Sequence, residues 1–247
     1  ASPTGGFSNT PDTDPSVGAN RQWAKQIAAR IPNSVVGVAD FEVRDVAILE
    51  NAIKDAHAAG IVWGQKPAVD RAAILRSAGH QLNQRRAELI EVMASECGKV
   101  IGEGDVEVSE AVDFANYYAE QAINLEQVRG ASFTPDALTV IAPPWNFPVA
   151  IVAGSTLAAL AAGNAVIVKP APQAVRSATA MVQALWDGGV PKDVLRLLNA
   201  PEGELGKALI SHPLVDNVIL TGSWETAALF KSWRPEMSLS AETSGKN

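Results

Sequence analysis

The chain has 247 residues, 47% hydrophobic and 19% charged, with a net charge of −7 and a pI of about 5.0. That length holds one large domain or two small ones around a buried core, and the acidic balance argues against a nucleic-acid binder, which needs a basic footprint. Cys97 is the one cysteine, which excludes an intramolecular disulfide and suits a reducing compartment.

Residues 1–20 are rich in Pro, Gly, Ser, Thr and Asp and read as a linker or tail. They show no basic stretch followed by an apolar run, so they are not a signal peptide. Trp23–Ile31 reads as a short helix ended by Pro32, and "SVVGVADFEV" (34–43) has the β-branched content of a strand. The expected division is a linker or N-terminal extension over 1–33 and one domain over 34–247. Val46, Leu49, Ile53 and Ala56 repeat at helical spacing over 45–59. A longer helix follows, with Ile74, Ala78 and Leu82 on one face, joined by Leu75, Leu89 and Met93, and stopping at Gly98. Residues 103–124 form a third helical stretch whose acidic start suits the positive end of a helix dipole.

After "GASFTPD" the pattern changes. "ALTVIAPP", "NAVIVKP", "VLRLLNA" and "VDNVILTGS" read as strands; "AIVAGSTLAALAAG", "SATAMVQALWDGG", "ELGKALISH" and "WETAALFKSW" read as the helices between and after them. Alternating helices and continuously apolar strands predict an α/β fold, a parallel sheet with helices on both faces. The apolar run Phe147–Val168 is about long enough to span a bilayer. Pro148 opens it and Gly163–Asn164 break it, so no membrane span is expected.

In such sheets the ligand sits beyond the carboxyl ends of the strands, and four segments fall there. Asn146, flanked by Trp145 and Phe147 in "APPWNFP", either donates to an oxygen gaining negative charge or satisfies its own turn. Lys169 in "VIVKPAPQ" either holds a phosphate or ribose hydroxyl or solvates a strand end. Gly222 and Ser223 in "VILTGS" either receive a phosphate at a helix N-terminus or form a plain N-cap. Glu242, after the strand-like "MSLSA", is either a general base or an exposed acid. His57, His80 and His212 have no ligand spacing, so no metal is expected. Cys97 reads as a small buried residue. GxGxxG, Walker and GxSxG motifs are absent.

Together, "PPWNFP", "ALAAGNAVIVKPAP", "HPLVDNVILTGS" and "AETSGKN", in that order, resemble the aldehyde dehydrogenase superfamily over roughly residues 34–247. "EVSEAVDFANYYA" (107–119) and "AETSGKN" resemble the branch that oxidises glutamate γ-semialdehyde, the open form of Δ1-pyrroline-5-carboxylate. "GFSNTPDTDPSVGANRQWA" (6–24) resembles the join found in bifunctional proline utilisation proteins.

The resemblance implies a Rossmann-like NAD-binding domain and oxidation of the semialdehyde to glutamate in proline catabolism. Asn146 would stabilise the oxyanion and Glu242 would activate water for thioester hydrolysis. Lys169 would lie at the adenosine ribose, Gly222 and Ser223 at the pyrophosphate, Gly206 beside the adenine-side phosphate, Trp145 alongside the cofactor, and the Thr243 carbonyl near the nicotinamide.

It also implies a cytoplasmic, homo-oligomeric parent, in which a proline dehydrogenase module can share the polypeptide. Pro172 stands where many members carry Glu or another polar residue, which leaves NADP open. Gly203 is displaced by about one position, and Ser244 replaces the first glycine of a usual pair. The family's nucleophilic cysteine and catalytic domain would follow Asn247, so a truncated enzyme, inactive alone, is expected. A non-catalytic assembly domain and a different aldehyde specificity remain the alternatives.

Overall fold

The computed structural model describes residues 7–39 and 42–243. Its first half is helical. The helix expected at Trp23 begins earlier, as α1 (Gly18–Arg30), and continues into a 3-10 turn at Ile31–Asn33. It is not free of the domain: Ile27 is fully buried and α1 packs against α4 (Arg86–Cys97). The residues before it lie along α5 (Ile101–Leu125). The Asn9 side chain and Thr10 N–H donate to Asp113 (2.7 and 2.6 Å), and the Thr13 N–H and hydroxyl donate to Asp105 (2.6 and 2.8 Å). The described part of the expected linker is thus a strap tied to two carboxylates.

The strand expected over 34–43 is not formed. Asp40 and Phe41 lie outside the described residues, and the remainder is a turn with one isolated parallel bridge, Glu42–Asn199. Its carbonyls are taken by a side chain instead: Arg176 donates to Val36 O and Ser34 O (3.0 and 2.8 Å). Gly37, at φ +72°, sits so close to the Arg176 carbonyl that a Cβ would lie 2.1 Å from it. Val35 and Val38 face solvent. β-branched content alone does not create a strand, because pairing and packing decide it; here the segment touches the edge beyond β3 only at Glu42–Asn199.

Helix α2 (Val46–Gly64) starts at Asp45, whose carboxylate accepts from the N–H groups of Ala47 and Ile48. This is an acidic N-cap. Leu49, Ile53 and Ala56 are buried as the spacing predicts, but Val46 in the first turn is exposed. The expected long helix is two helices, α3 (Ala68–Gln84) and α4, separated at Arg85. Tertiary partners mark the break: Arg85 pairs with Asp187, and Arg86 with Asp105 at 2.8 Å. Gly98, at φ +72°, ends α4, where only glycine adopts the left-handed turn without strain.

The second half follows the expected alternation. Strands β1 (Leu138–Ala142), β2 (Ala165–Val168), β3 (Leu195–Leu197), β4 (Asn217–Gly222) and β5 (Ser238–Thr243) form one parallel sheet in the order β3-β2-β1-β4-β5. Val140 pairs in register with Ile167 on one side and Val218 on the other. The crossover helices are α6 (Ala150–Ala162), α7 (Val175–Asp187), α8 (Glu204–Ile210) and α9 (Trp224–Trp233). Strand order runs outward from β1 to β3, then reverses to β4 and β5. Because parallel crossovers share one hand, the reversal puts α6 and α7 on one face and α8 and α9 on the other.

Helix α2 packs on β1, β2 and α8. A Cβ on its Gly60 would lie 1.7 Å from the Ala137 carbonyl, so the helix seats against the sheet only through glycine. The apolar run from Phe147 to Val168 resolves into α6, a left-handed Gly163 and β2. No described helix is long and apolar enough to cross a membrane.

Candidate functional site

The reversal of strand order leaves a crevice at the carboxyl ends of β1 and β4, the place where open α/β sheets bind ligands. A cavity of about 1020 Å³ opens there. All eight residues singled out from the sequence line it: Trp145, Asn146, Lys169, Gly206, Gly222, Ser223, Glu242 and Thr243. They come from segments up to nearly a hundred residues apart; Gly206 lies in α8, and the others follow or end strands of one sheet. Ser244 lies outside the described residues.

The loop carrying Asn146 is held from the helical layer. Lys99 donates to the Asn146 carbonyl (2.8 Å), pairs with Glu107 (2.9 Å) and stands 4.0 Å from the centre of the Phe147 ring. The other Glu107 oxygen accepts from the N–H groups of Val149 and Ala150, both at 3.0 Å. Helix α6 has no side-chain cap of its own at Val149. A buried carboxylate from α5 caps it instead and so sets where the preceding loop ends.

The loop after β2 is held the same way. Glu96 accepts from the N–H groups of Arg176 and Ser177 (2.8 and 2.7 Å) and from the Ser177 hydroxyl (2.7 Å), capping α7. Cys97 Sγ donates to Gln173 O at 3.4 Å. The short segment from Glu96 to Lys99 therefore touches both site-bearing loops. Sequence reading missed Glu96, Lys99 and Glu107. One signal was present: Glu107 lies on the buried side of α5 with Ala111 and Ala115, and an acid there calls for a partner.

At one end of the cavity is positive potential. Lys169 leaves β2 with its N–H donating to Ile141 O (2.9 Å). Burial of its ammonium lowers its pKa below the ordinary lysine value, and the nearby Glu202 charge opposes that shift. Ser223 caps the ten-residue α9, its Oγ accepting from the Thr226 N–H at 3.1 Å, so the capping reading holds. The cap leaves the N–H groups of Trp224 and Glu225 without intrahelical partners. A Cβ on Gly222 would meet nothing nearer than Leu220 Cδ1 at 3.4 Å, so packing within the chain does not require glycine there. A cation, a helix N-terminus and a bare backbone form a donor set suited to phosphate.

The same cavity is lined by an amide and a carboxylate. Asn146 is exposed beside Trp145 and Phe147. Glu242 and Thr243 lie within β5 rather than beyond it, paired in register with Thr221 and Gly222. Glu242 is exposed. An amide donor and a carboxylate at the carboxyl ends of two strands of one parallel sheet suit stabilisation of an oxygen anion and proton removal from water. Cys97 does not line this cavity. Its thiol is half-buried, and burial followed by the Glu96 charge pushes its pKa up, opposite to what a nucleophile needs. Among the described residues no cluster of three potential metal ligands occurs.

Known proteins share both the sequence and the overall fold. The family model described as "Aldehyde dehydrogenase family" matches residues 20–247. The 1-pyrroline-5-carboxylate dehydrogenase of Bacillus licheniformis is 35% identical over 201 residues, covering 77% of this chain and 39% of that protein. The bifunctional protein PutA of Escherichia coli is 36% identical over 227 residues, 87% of this chain and 17% of that protein. The solved structure of proline utilization A (PutA) from Corynebacterium freiburgense superposes with a TM-score of 0.88 at 40% identity, covering 97% of this chain and 24% of that one. That of 1-pyrroline-5-carboxylate dehydrogenase from Thermus thermophilus gives 0.86 at 26% identity, covering 98% and 56%. The chain thus spans well under two thirds of the length of the relatives it matches.

Proposed function

Because this chain belongs to the aldehyde dehydrogenase family, we propose that it is the cofactor-binding part of an NAD-dependent enzyme oxidising glutamate γ-semialdehyde to glutamate. The convergence of all eight residues on one cavity carries this reading. NAD, when bound, supplies the acceptor for the hydride leaving the aldehyde carbon. Lys169 would hold the adenosine ribose, Gly222 and Ser223 at the start of α9 would hold the pyrophosphate, and Gly206, Trp145 and Thr243 would complete the cofactor lining. The Asn146 amide donates to the carbonyl oxygen as it gains negative charge under thiolate attack. Glu242 takes a proton from the water that cleaves the resulting thioester, which releases the acid and regenerates the thiol.

The semialdehyde assignment draws on the relatives named 1-pyrroline-5-carboxylate dehydrogenase. The PutA relatives extend the proposal to a proline dehydrogenase module in the same polypeptide. The attacking thiolate is not Cys97, so the 247 residues alone do not turn over. NADH formation from the semialdehyde by this purified chain would overturn that statement. Calorimetric titration with NAD tests the site itself. Saturable binding in the micromolar range or weaker, abolished in Lys169→Ala, is expected. No binding at millimolar NAD would remove the dinucleotide reading.

A further inference from the structure

The cavity's positive end is not purely positive. Lys169 shares its wall with Pro172, Glu202 and Gly206. Gly206 fixes their spacing. A Cβ there would fall 3.0 Å from the Pro201 carbonyl and 3.5 Å from Lys169 Cε, and the Gly206 N–H donates to that carbonyl at 3.0 Å. The residue just before Glu202 is thereby clamped beside the Lys169 stem. Gly203, at φ +96° and ψ −140°, turns the chain immediately afterwards, a conformation that only glycine adopts freely. The turn leaves Glu202 exposed at the cavity rim. Its charge is felt at Lys169. Pro172 offers no polar side-chain atom here and Gln173, also in the lining, carries no charge, so the charged groups of this part of the lining are the ammonium and the carboxylate.

We infer that Glu202 is the specificity-determining residue of this cavity, favouring a dinucleotide with free adenosine ribose hydroxyls over one bearing a 2′-phosphate. The inference rests on the nucleotide reading of the cavity. A carboxylate accepts a hydrogen bond from a ribose hydroxyl. Against a phosphate carrying close to two negative charges it is repulsive, and it also offsets the Lys169 charge that would otherwise hold that phosphate. At a solvated rim the effect amounts to about tenfold in affinity at low salt.

The test is parallel titration of the 247-residue chain and Glu202→Gln with NAD and with NADP, by calorimetry or by fluorescence of the cavity tryptophans. The unaltered chain is expected to bind NAD about tenfold more tightly than NADP. Glu202→Gln should tighten NADP about tenfold, move NAD less than about twofold, and lose this gain at about 0.5 M salt. An unchanged NAD-to-NADP ratio, with NAD still bound, overturns the assignment of Glu202 and leaves the nucleotide site standing. Binding of neither dinucleotide overturns both. Because Glu202 is exposed, the glutamine variant is expected to fold normally, and matching circular dichroism spectra check this.

Discussion

Every residue of β1 and β2 is buried, whereas no residue of β5 is and only two of the six in β4 are. On the closed side, α6 and α7 pack on the strands and are themselves covered by α3, α4 and α5. On the open side, α9 leaves Trp224 and Leu229 exposed at 64% and 48%. The cavity lies on the line between the two. Its amide, Asn146, and its cation, Lys169, come from loops anchored on the closed side, while its carboxylate, Glu242, comes from the exposed edge strand. The lesson is that precision and access are divided. The loops after β1 and β2 are fixed by carboxylates from another layer, Glu107 buried and Glu96 partly so, and the edge is left accessible.

Substitutions should scale with that division. The largest effect is expected for Glu107→Leu, which strands the partly buried Lys99 ammonium and two helix N–H groups. It should cost about 3 kcal/mol in urea unfolding, and a loss under about 1 kcal/mol would break the claim that the closed side is held electrostatically. Glu96→Ala removes three accepted hydrogen bonds at α7 and should cost about 2 kcal/mol. Crossing to the open side, Ser223→Ala removes one cap bond and should cost about 1 kcal/mol. Lys169→Met removes a charge that burial already disfavours, so unfolding should shift by less than about 1 kcal/mol although anion binding is lost.

The pH dependence of that anion binding has a defined sign. The lysine binds only when protonated, and its folded pKa is lowered, so affinity is complete below that pKa. It falls as pH rises through it, earlier than for an ordinary lysine. A Lys169→Arg variant titrated with ADP should not show the fall. The smallest effect belongs to Glu242→Gln, whose unfolding curve should overlay that of the unaltered chain because the carboxylate is exposed on an edge strand.

Much of this was legible in the residues. From Leu138 onward, strands and helices alternate as written, since continuous apolar runs between helical patterns have few other folds. Asn146, Lys169, Gly222, Ser223 and Glu242 stood out because strand ends in parallel sheets converge by topology, whereas Trp145, Gly206 and Thr243 entered only through the family resemblance. Composition misled at "SVVGVADFEV": its β-branched residues suit a strand, but Arg176 claims its carbonyls. The break at Arg85 was equally hidden, because Asp187 and Asp105, the partners of Arg85 and Arg86, lie in other helices.

Local pattern and a few spaced motifs by themselves determined the fold class, the order of elements and the candidate polar groups of this protein. These depend on periodicity and on which residues terminate strands, both readable along the chain. Only the tertiary structure decided what holds those groups in place. Glu107 reaching across 42 residues to the start of α6 and Lys99 across 47 to the Asn146 carbonyl are long-range pairings. Their existence depends on packed helices meeting at fixed distances, and no single segment records it.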